Sequence, residues 1–485
     1  MTKYHPVNMD YYSIFGEINC INYYVIIFMK SKLFLLAIAA MMVTSTQKLS
    51  AQTSSFKGGE FKQWAQTPPM GWNSWDCYGS TVTEDETKAN ADYMAANLKS
   101  YGWEYIVVDI RWFVENDKAG GYNEKNPIYV MDQYGRYLPA LNRFPSAKDG
   151  KGFKHLADYV HSKGLKFGIH IMRGIPKEAV AKKLPIKGTK DITADQIYST
   201  ELQCQWLHDN YTIVADKPGA QEYYNSIFEL YASWGVDFIK IDDLSRPYHQ
   251  GEIELIRKAI DHCGRRIVLS TSPGETPIES AGHVRTHANM WRMVDDVWDT
   301  WPHVTHLFDI CQKWYPYIAP GTWPDCDMIP LGRISLRGER GADRMTRLSK
   351  DEQYTLMTLF TIFRSPLIFG GDLPSNDAFT LSLLTNKDVL KMHREGSKVH
   401  QLFQKDKKVA ITSKNAKTGE VYLALFNLSD DKTAQKTSVN LADLGIKGKC
   451  IVTDMWTGKT VGTFSKEFSR LFNSHACGLY KLKVK

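Results

Sequence analysis

The stretch GVDFIKIDD, residues 235–243, decides how this chain folds. Its centre, Phe238-Ile239-Lys240-Ile241, turns apolar side chains to both faces, and it stops on two acids, Asp242 and Asp243. A strand reads this way when helices cover both sides of a parallel sheet and polar chemistry is confined to the C-terminal tip. YIVVD at 105–109 follows the same grammar. Working outward, eight strand candidates appear: Met70–Trp75, Tyr105–Trp112, Lys166–Met172, Phe238–Asp242, Arg266–Thr271, Met290–Asp296, Trp323–Met328 and Pro366–Gly371. Helix-like segments such as Glu84–Ser100, Gln221–Trp234, Glu252–His262 and Asp351–Phe363 separate them. Eight βα units predict an α/β fold, a (β/α)8 TIM barrel spanning residues 60–395. A doubly wound sheet is the alternative, but no Gly-rich phosphate loop supports it.

One long insertion, roughly Ile175 to Gly219, parts the third strand from the helix before the fourth; loops of this length usually shape a site or a contact surface. From residue 396 to 485 the pattern changes to alternating strands, KVAITS, VYLALFN, IVTDMW and GLYKLKV, which predicts a small C-terminal antiparallel β-sandwich.

The apolar share of 43% is enough to build a large core. The net charge of +7 is spread thinly, with no basic stripe or tail, so a nucleic-acid partner is not expected. Met29-Lys30-Ser31-Lys32, the apolar run Leu33–Val43 and the small residues up to Ala51 follow the order of a secretory signal peptide. Residues 1–28 read as an upstream extension, with Met29 as the true start. The apolar run is short for a bilayer span, which leaves a membrane anchor or a buried helix as the alternative. Export would place the mature protein outside the cell or in the periplasm, free of the membrane. Of eight cysteines Cys20 leaves with the leader, and the remaining seven form no CxxC pair and no metal-type spacing, so no metal is expected from them.

The barrel turns sequence into a shortlist, because acids that close strands point into one cleft. They are Asp109, Asp242, Asp243, Asp295, Asp296, Asp325 and Asp327. Paired carboxylates suit acetal cleavage: one protonates the leaving oxygen, and the other stabilises or attacks an oxocarbenium-like carbon. Lys240, two residues before Asp242, lends a positive charge that keeps a nucleophile ionised. The acid needs a raised pKa, and Trp291, Trp298 and Trp301 predict desolvation around Asp296. Abundant Trp and Tyr tilt the reading towards a carbohydrate substrate.

TPPMGWNSW at 67–75, GVDFIKIDD, WRMVDDVWDTW at 291–301, TWPDCDM at 322–328 and LSKDEQYTLMTLFTIFRSPLIFGGDL at 348–373 resemble glycoside hydrolase family 27, the α-galactosidase (melibiase) family. The likeness runs from Pro68 to the end of the chain. It implies an exo-acting retaining hydrolase of galactose-configured ends of oligo- or polysaccharides, with no cofactor. It also implies Asp242 as nucleophile, Asp296 as acid/base, and Trp75, Asp109, Lys240, Arg292, Asp327 and Met328 as sugar contacts. Asp243 and Asp299 are assigned to the scaffold.

Three departures from the family bear on the substrate. Where its α-galactosidases carry two consecutive acids after the second strand, this chain has Asp109 and Ile110. An isoleucine accepts no hydrogen bond from an exocyclic hydroxymethyl, which favours β-L-arabinopyranose over galactose, unless Ile110 packs away from the sugar. Ser272 stands where many members have a Glu reading the 2-hydroxyl, a pattern closer to α-N-acetylgalactosaminidases. His170 replaces a Tyr, either to touch sugar or as a core imidazole, and Leu244 replaces a Cys that commonly forms a disulfide.

Overall fold

The computed structural model describes Phe56 and residues 58–485, so the leader and the upstream extension lie outside the described residues. Gly235 explains why GVDFIKIDD opens as it does. The helix Ala220–Trp234 buries Tyr223, Tyr224, Ile227, Phe228, Tyr231 and Trp234, then ends on Gly235 in the left-handed region at φ 87°. That conformation stops a helix cheaply only where no Cβ is present. The chain then enters a strand at Phe238.

Eight parallel strand positions form the barrel: β1 Met70–Asn73, β2 Tyr105–Val108, β3 Lys166–Met172, β4 Phe238–Asp242, β5 Val268–Thr271, β6 Met290–Arg292, β7 in two pieces (Trp323–Asp325 and Met328–Ile329) and β8 Leu367–Phe369. Each pairs with the next, and β8 returns to β1 through Met70 opposite Leu367. The ring closes through the broken seventh strand, whose first piece pairs with β6 and whose second pairs with β8. Asp327, in the break, adopts φ 84°. The principal helices are α1 Glu84–Asn97, α2 Lys154–Ser162, α3 Ala220–Trp234, α4 Gln250–His262, α5 Ala281–Val284, α6 Trp301–Trp314, α7 Lys350–Phe363 and α8 Lys387–Glu395. Capping boxes at Thr83/Glu86 and Ser349/Glu352 satisfy the free N–H groups where α1 and α7 begin.

Most strands are shorter than the sequence predicts. β1 stops at Asn73 rather than Trp75, and β6 at Arg292 rather than Asp296. In β1 and β6 the residues lost from the ladder are those that turn over the barrel mouth, whereas β5 starts two residues later than expected, at Val268. The insertion after β3 folds into a three-stranded patch of its own, with Ile175–Pro176 and Tyr198–Ser199 flanking Asn210–Ile213.

The C-terminal strands are β9 Gly396–Lys405, β10 Lys408–Asn415, β11 Val421–Asn427, β12 Gln435–Asn440, β13 Cys450–Asp454, β14 Thr460–Phe464, β15 Glu467–Phe472 and β16 Cys477–Val484. Six form one antiparallel sheet in the order β9-β10-β11-β16-β13-β14, while β12 and β15 pair separately. Leu423, Leu425, Val439, Phe468 and Tyr480 fill a shared core. Phe426 packs on Phe308 of α6 at 4.9 Å, and the His475 ring stacks on Trp301 at 3.8 Å. All seven described cysteines are free thiols.

Candidate active site

Above the C-terminal ends of the strands lies a cavity of about 310 Å³. Trp75, Asp109, Ile110, His170, Lys240, Asp242, Asp296 and Met328 line it, so eight of the eleven residues read from sequence as catalytic or sugar-binding candidates meet on one surface. They arrive from the tips of β1 to β4, from the loop after β6 and from the second piece of β7.

The floor on the β2–β4 side alternates charge. His170 is buried, with Nδ1 2.7 Å from Asp109 Oδ1 and Nε2 3.1 Å from Asp242 Oδ2. Burial would lower its pKa, but the two carboxylates outweigh that and raise it. Lys240 Nζ stands 3.8 Å from Asp109 Oδ2. Asn73 Nδ2 donates to Asp109 at 2.8 Å, and the Ile110 amide donates to the same carboxylate at 2.9 Å. Burial alone would push Asp109 up, yet His170, Lys240 and Asn73 bring it down to about 2. His170 is therefore part of the cavity wall and not a core imidazole remote from it.

The opposite side is built on one cation. The buried guanidinium of Arg292 reaches Asp327 Oδ1 at 2.6 Å and donates to Asp296 Oδ1 at 3.1 Å. Asp327 accepts from the Val297 amide at 2.8 Å, but burial dominates and raises its pKa to about 7. The sequence-based expectation for Asp296 is corrected here. Its carboxyl is held below the ordinary range: burial works upwards, but Arg292 and Lys240 outweigh it. The side chain is 39% exposed at the mouth and shares the Arg292 guanidinium, so the desolvation expected from sequence is present but does not decide the outcome.

Arg292 and Asp327 lie a layer below the main cavity, and Asp327 lines a small void of about 20 Å³ under it together with Lys240 and Met328. Ser272 departs further from its predicted place. It is fully buried, its backbone carries the β4–β5 connection, and its neighbour Pro273 takes the wall position. Asp243 and Asp299 pair with Arg173 at 2.8 Å and Arg344 at 2.6 Å, outside the cavity lining.

Six lining residues escaped the sequence reading, Tyr122, Trp206, Arg246, Pro273, Glu339 and Arg340, while Asp295, shortlisted there among the strand-closing acids, also lines the cavity. Tyr122 stacks on Trp75 with centroids 5.7 Å apart and meets Trp206 at 6.2 Å, giving an aromatic wall drawn from the short helix after β1 and two loops. Arg111 fixes this wall. It pairs with Asp209, close to Trp206 in the insertion, at 2.8 Å and lies 5.6 Å from the Tyr122 ring. Arg246 and Asp295, paired at 3.0 Å, form an exposed rim.

A closed parallel barrel with opposed acids over its strand tips and an aromatic wall beside them defines a glycoside hydrolase. The chain belongs to the α-galactosidase (melibiase) family: the "Alpha galactosidase A" model matches residues 67–180 and 178–395, and the "Alpha galactosidase C-terminal beta sandwich domain" model matches 406–482. It is 50% identical to a family 27 β-L-arabinopyranosidase from Geobacillus stearothermophilus solved with arabinose, covering 88% of this chain and 99% of that one at a TM-score of 0.85. α-Galactosidase 2 of Arabidopsis thaliana is 27% identical over 430 residues, 86% of this chain and 90% of the relative. The α-N-acetylgalactosaminidase of Gallus gallus is 25% identical over 431 residues, 82% of this chain and 88% of the relative.

Proposed function

We propose that this protein is an exo-acting retaining β-L-arabinopyranosidase with a weaker α-galactosidase activity. The observation that carries this reading is the position of Ile110, buried beside Asp109 on the wall of the cavity that Asp242 and Asp296 share. Asp109, kept ionised by His170 and Lys240, suits the ring hydroxyls. Where a galactose would extend its hydroxymethyl, Ile110 offers only a branched hydrocarbon. A buried hydroxyl left without a partner costs about 1–3 kcal/mol, whereas a ring that lacks the arm loses nothing there. The 50% identity to a β-L-arabinopyranosidase supports the same assignment. The α-N-acetylgalactosaminidase reading rested on Ser272, which is buried away from the cavity lining.

In the proposed double displacement, the Asp242 carboxylate attacks the anomeric carbon while Asp296 gives its proton to the departing glycosidic oxygen. The glycosyl ester on Asp242 is then opened by water, whose proton returns to Asp296. The difference in depth fits these roles. Asp242 is 7% exposed on the floor, and Asp296 stands at the mouth, where a leaving group must exit. An aglycone seated over Asp296 excludes water and loosens its pair with Arg292, which moves its pKa upwards towards that of a proton donor.

The test is a panel of nitrophenyl β-L-arabinopyranoside, α-D-galactopyranoside and N-acetyl-α-D-galactosaminide, compared by kcat/KM. The arabinoside should lead, with the galactoside on the order of 10-fold or more behind; a galactoside that outperforms it sinks the assignment. Export through the Met29–Ala51 leader belongs to the same proposal, and N-terminal sequencing of secreted protein should begin near Gln52.

A further inference from the structure

Beside the barrel, away from the cavity lining, three side chains from two consecutive βα units converge. Glu254 lies on α4, which follows β4; His283 sits on α5; and His287 lies four residues further on, in the turn that leads to β6. One donor atom from each lies within 4.8 Å of the other two, and Glu254 Oε1 is 3.4 Å from His283 Nε2.

The second ring nitrogens are already engaged. His283 Nδ1 is 2.6 Å from the Tyr248 hydroxyl. His287 Nδ1 is 2.9 Å from the His283 carbonyl and 3.0 Å from the Thr286 hydroxyl. Ligating histidines are held in just this manner, with Nδ1 tied to an oxygen and Nε2 left for the ion. The two rings stack at 4.0 Å, and because an imidazole ligates within its ring plane, a shared ion would splay them. His283 Nε2 is buried with no aligned hydrogen-bond partner, although the carboxylate lies close by.

We infer that Glu254, His283 and His287 bind one divalent transition-metal ion of the zinc type, with water completing a four-coordinate shell. Two imidazoles and one carboxylate are a donor set zinc accepts, and a tetrahedral shell would draw their ligand atoms to about 3.3 Å from one another. Such an ion clips α4, which leaves the Asp242 strand, to the segment that enters the Arg292 strand. It acts on stability and takes no part in the reaction.

The experiment uses the full chain without a histidine tag, stripped with EDTA and titrated with Zn²⁺ against a chromophoric chelator while thermal unfolding is followed. One equivalent should bind and raise Tm. His287→Ala and Glu254→Gln should each weaken binding at least tenfold, and Tyr248→Phe, which removes only the outer support, by about 10-fold. Cobalt(II) should give the visible bands of tetrahedral coordination in the wild type and not in the variants. Arabinoside hydrolysis by Glu254→Gln should match the wild type, because Glu254 touches nothing in the cavity. Stoichiometric binding that survives in both Glu254→Gln and His287→Ala, or no binding by the wild type, overturns the site. Glu254→Gln keeps the side-chain shape, so the test stands even if His287→Ala fails to fold.

Discussion

On the β2–β4 side of the cavity, carboxylates and cations alternate: Asp109 touches His170 and Lys240, and His170 touches Asp242. On the β6–β7 side one guanidinium serves two acids, and they diverge, Asp296 shifting down and Asp327 rising to about 7. The residue types match, so the contrast comes from surroundings. Each buried carboxylate on the first side has a cation near it. On the second side, Asp327 is fully buried close to the charge of Asp296, and Arg292 with the help of Lys240 does not compensate fully. Asp109 is thus settled in its charge, whereas Asp327 is poised to exchange protons.

Removing the floor carboxylate Asp242 should have the largest effect. Asp242→Asn should lower kcat/KM on the arabinoside by about 10⁴-fold or more, with binding of free arabinose retained; near-normal turnover would remove Asp242 from the chemistry. Asp296→Ala tests the β6–β7 side. Alkyl arabinosides, whose leaving oxygen needs a proton, should slow by about 10²–10⁴-fold, and nitrophenyl arabinoside by far less. Equal losses on both substrates would break the contrast.

Arg292→Met asks whether one cation really carries its side. It leaves Asp327 buried without its partner and should cost about 3–5 kcal/mol in denaturant unfolding, more than an equivalent change on the doubly supported side. Ile110→Asp should move preference from arabinoside towards galactoside by about 5- to 150-fold in the ratio of kcat/KM, the equivalent of one hydroxyl gaining a partner.

The smallest expected effect concerns acid stability. Asp109 has a folded pKa near 2, below its unfolded value, so its contribution is present above about pH 4 and is lost as pH falls from there towards 2. Asp109→Asn should flatten the unfolding free energy across that interval and, because it removes a carboxylate that raises His170, also lessen the stability lost as pH rises past about 6.5. A wild-type slope below pH 4 in the variant would show that Asp109 is not held by its cations.

What could be read from the sequence follows the same division between strands and loops. GVDFIKIDD and YIVVD placed Asp242 and Asp109 correctly because a doubly buried strand leaves its tip as the only outlet for charge. Tyr122, Trp206, Glu339 and Arg340 lie on loops, where no periodicity reports direction, so their place in the wall depends on tertiary contacts such as Arg111 with Asp209. Ser272 was misplaced for a related reason. It lies just past the end of β5, and the turn there carries Pro273 to the wall and leaves Ser272 inside. The pKa of Asp296 was misjudged because nearby tryptophans were visible in the sequence, whereas its exposure and its share of Arg292 were not.

The aromatic wall has an evolutionary corollary. Because Tyr122 and Trp206 come from two separate excursions of the chain, while Trp75 and the acids belong to strand ends and the short turns beside them, diet and chemistry are inherited largely on different pieces. Replacing one excursion can re-tailor what the enzyme eats while the machinery that breaks the bond passes unchanged to the descendant.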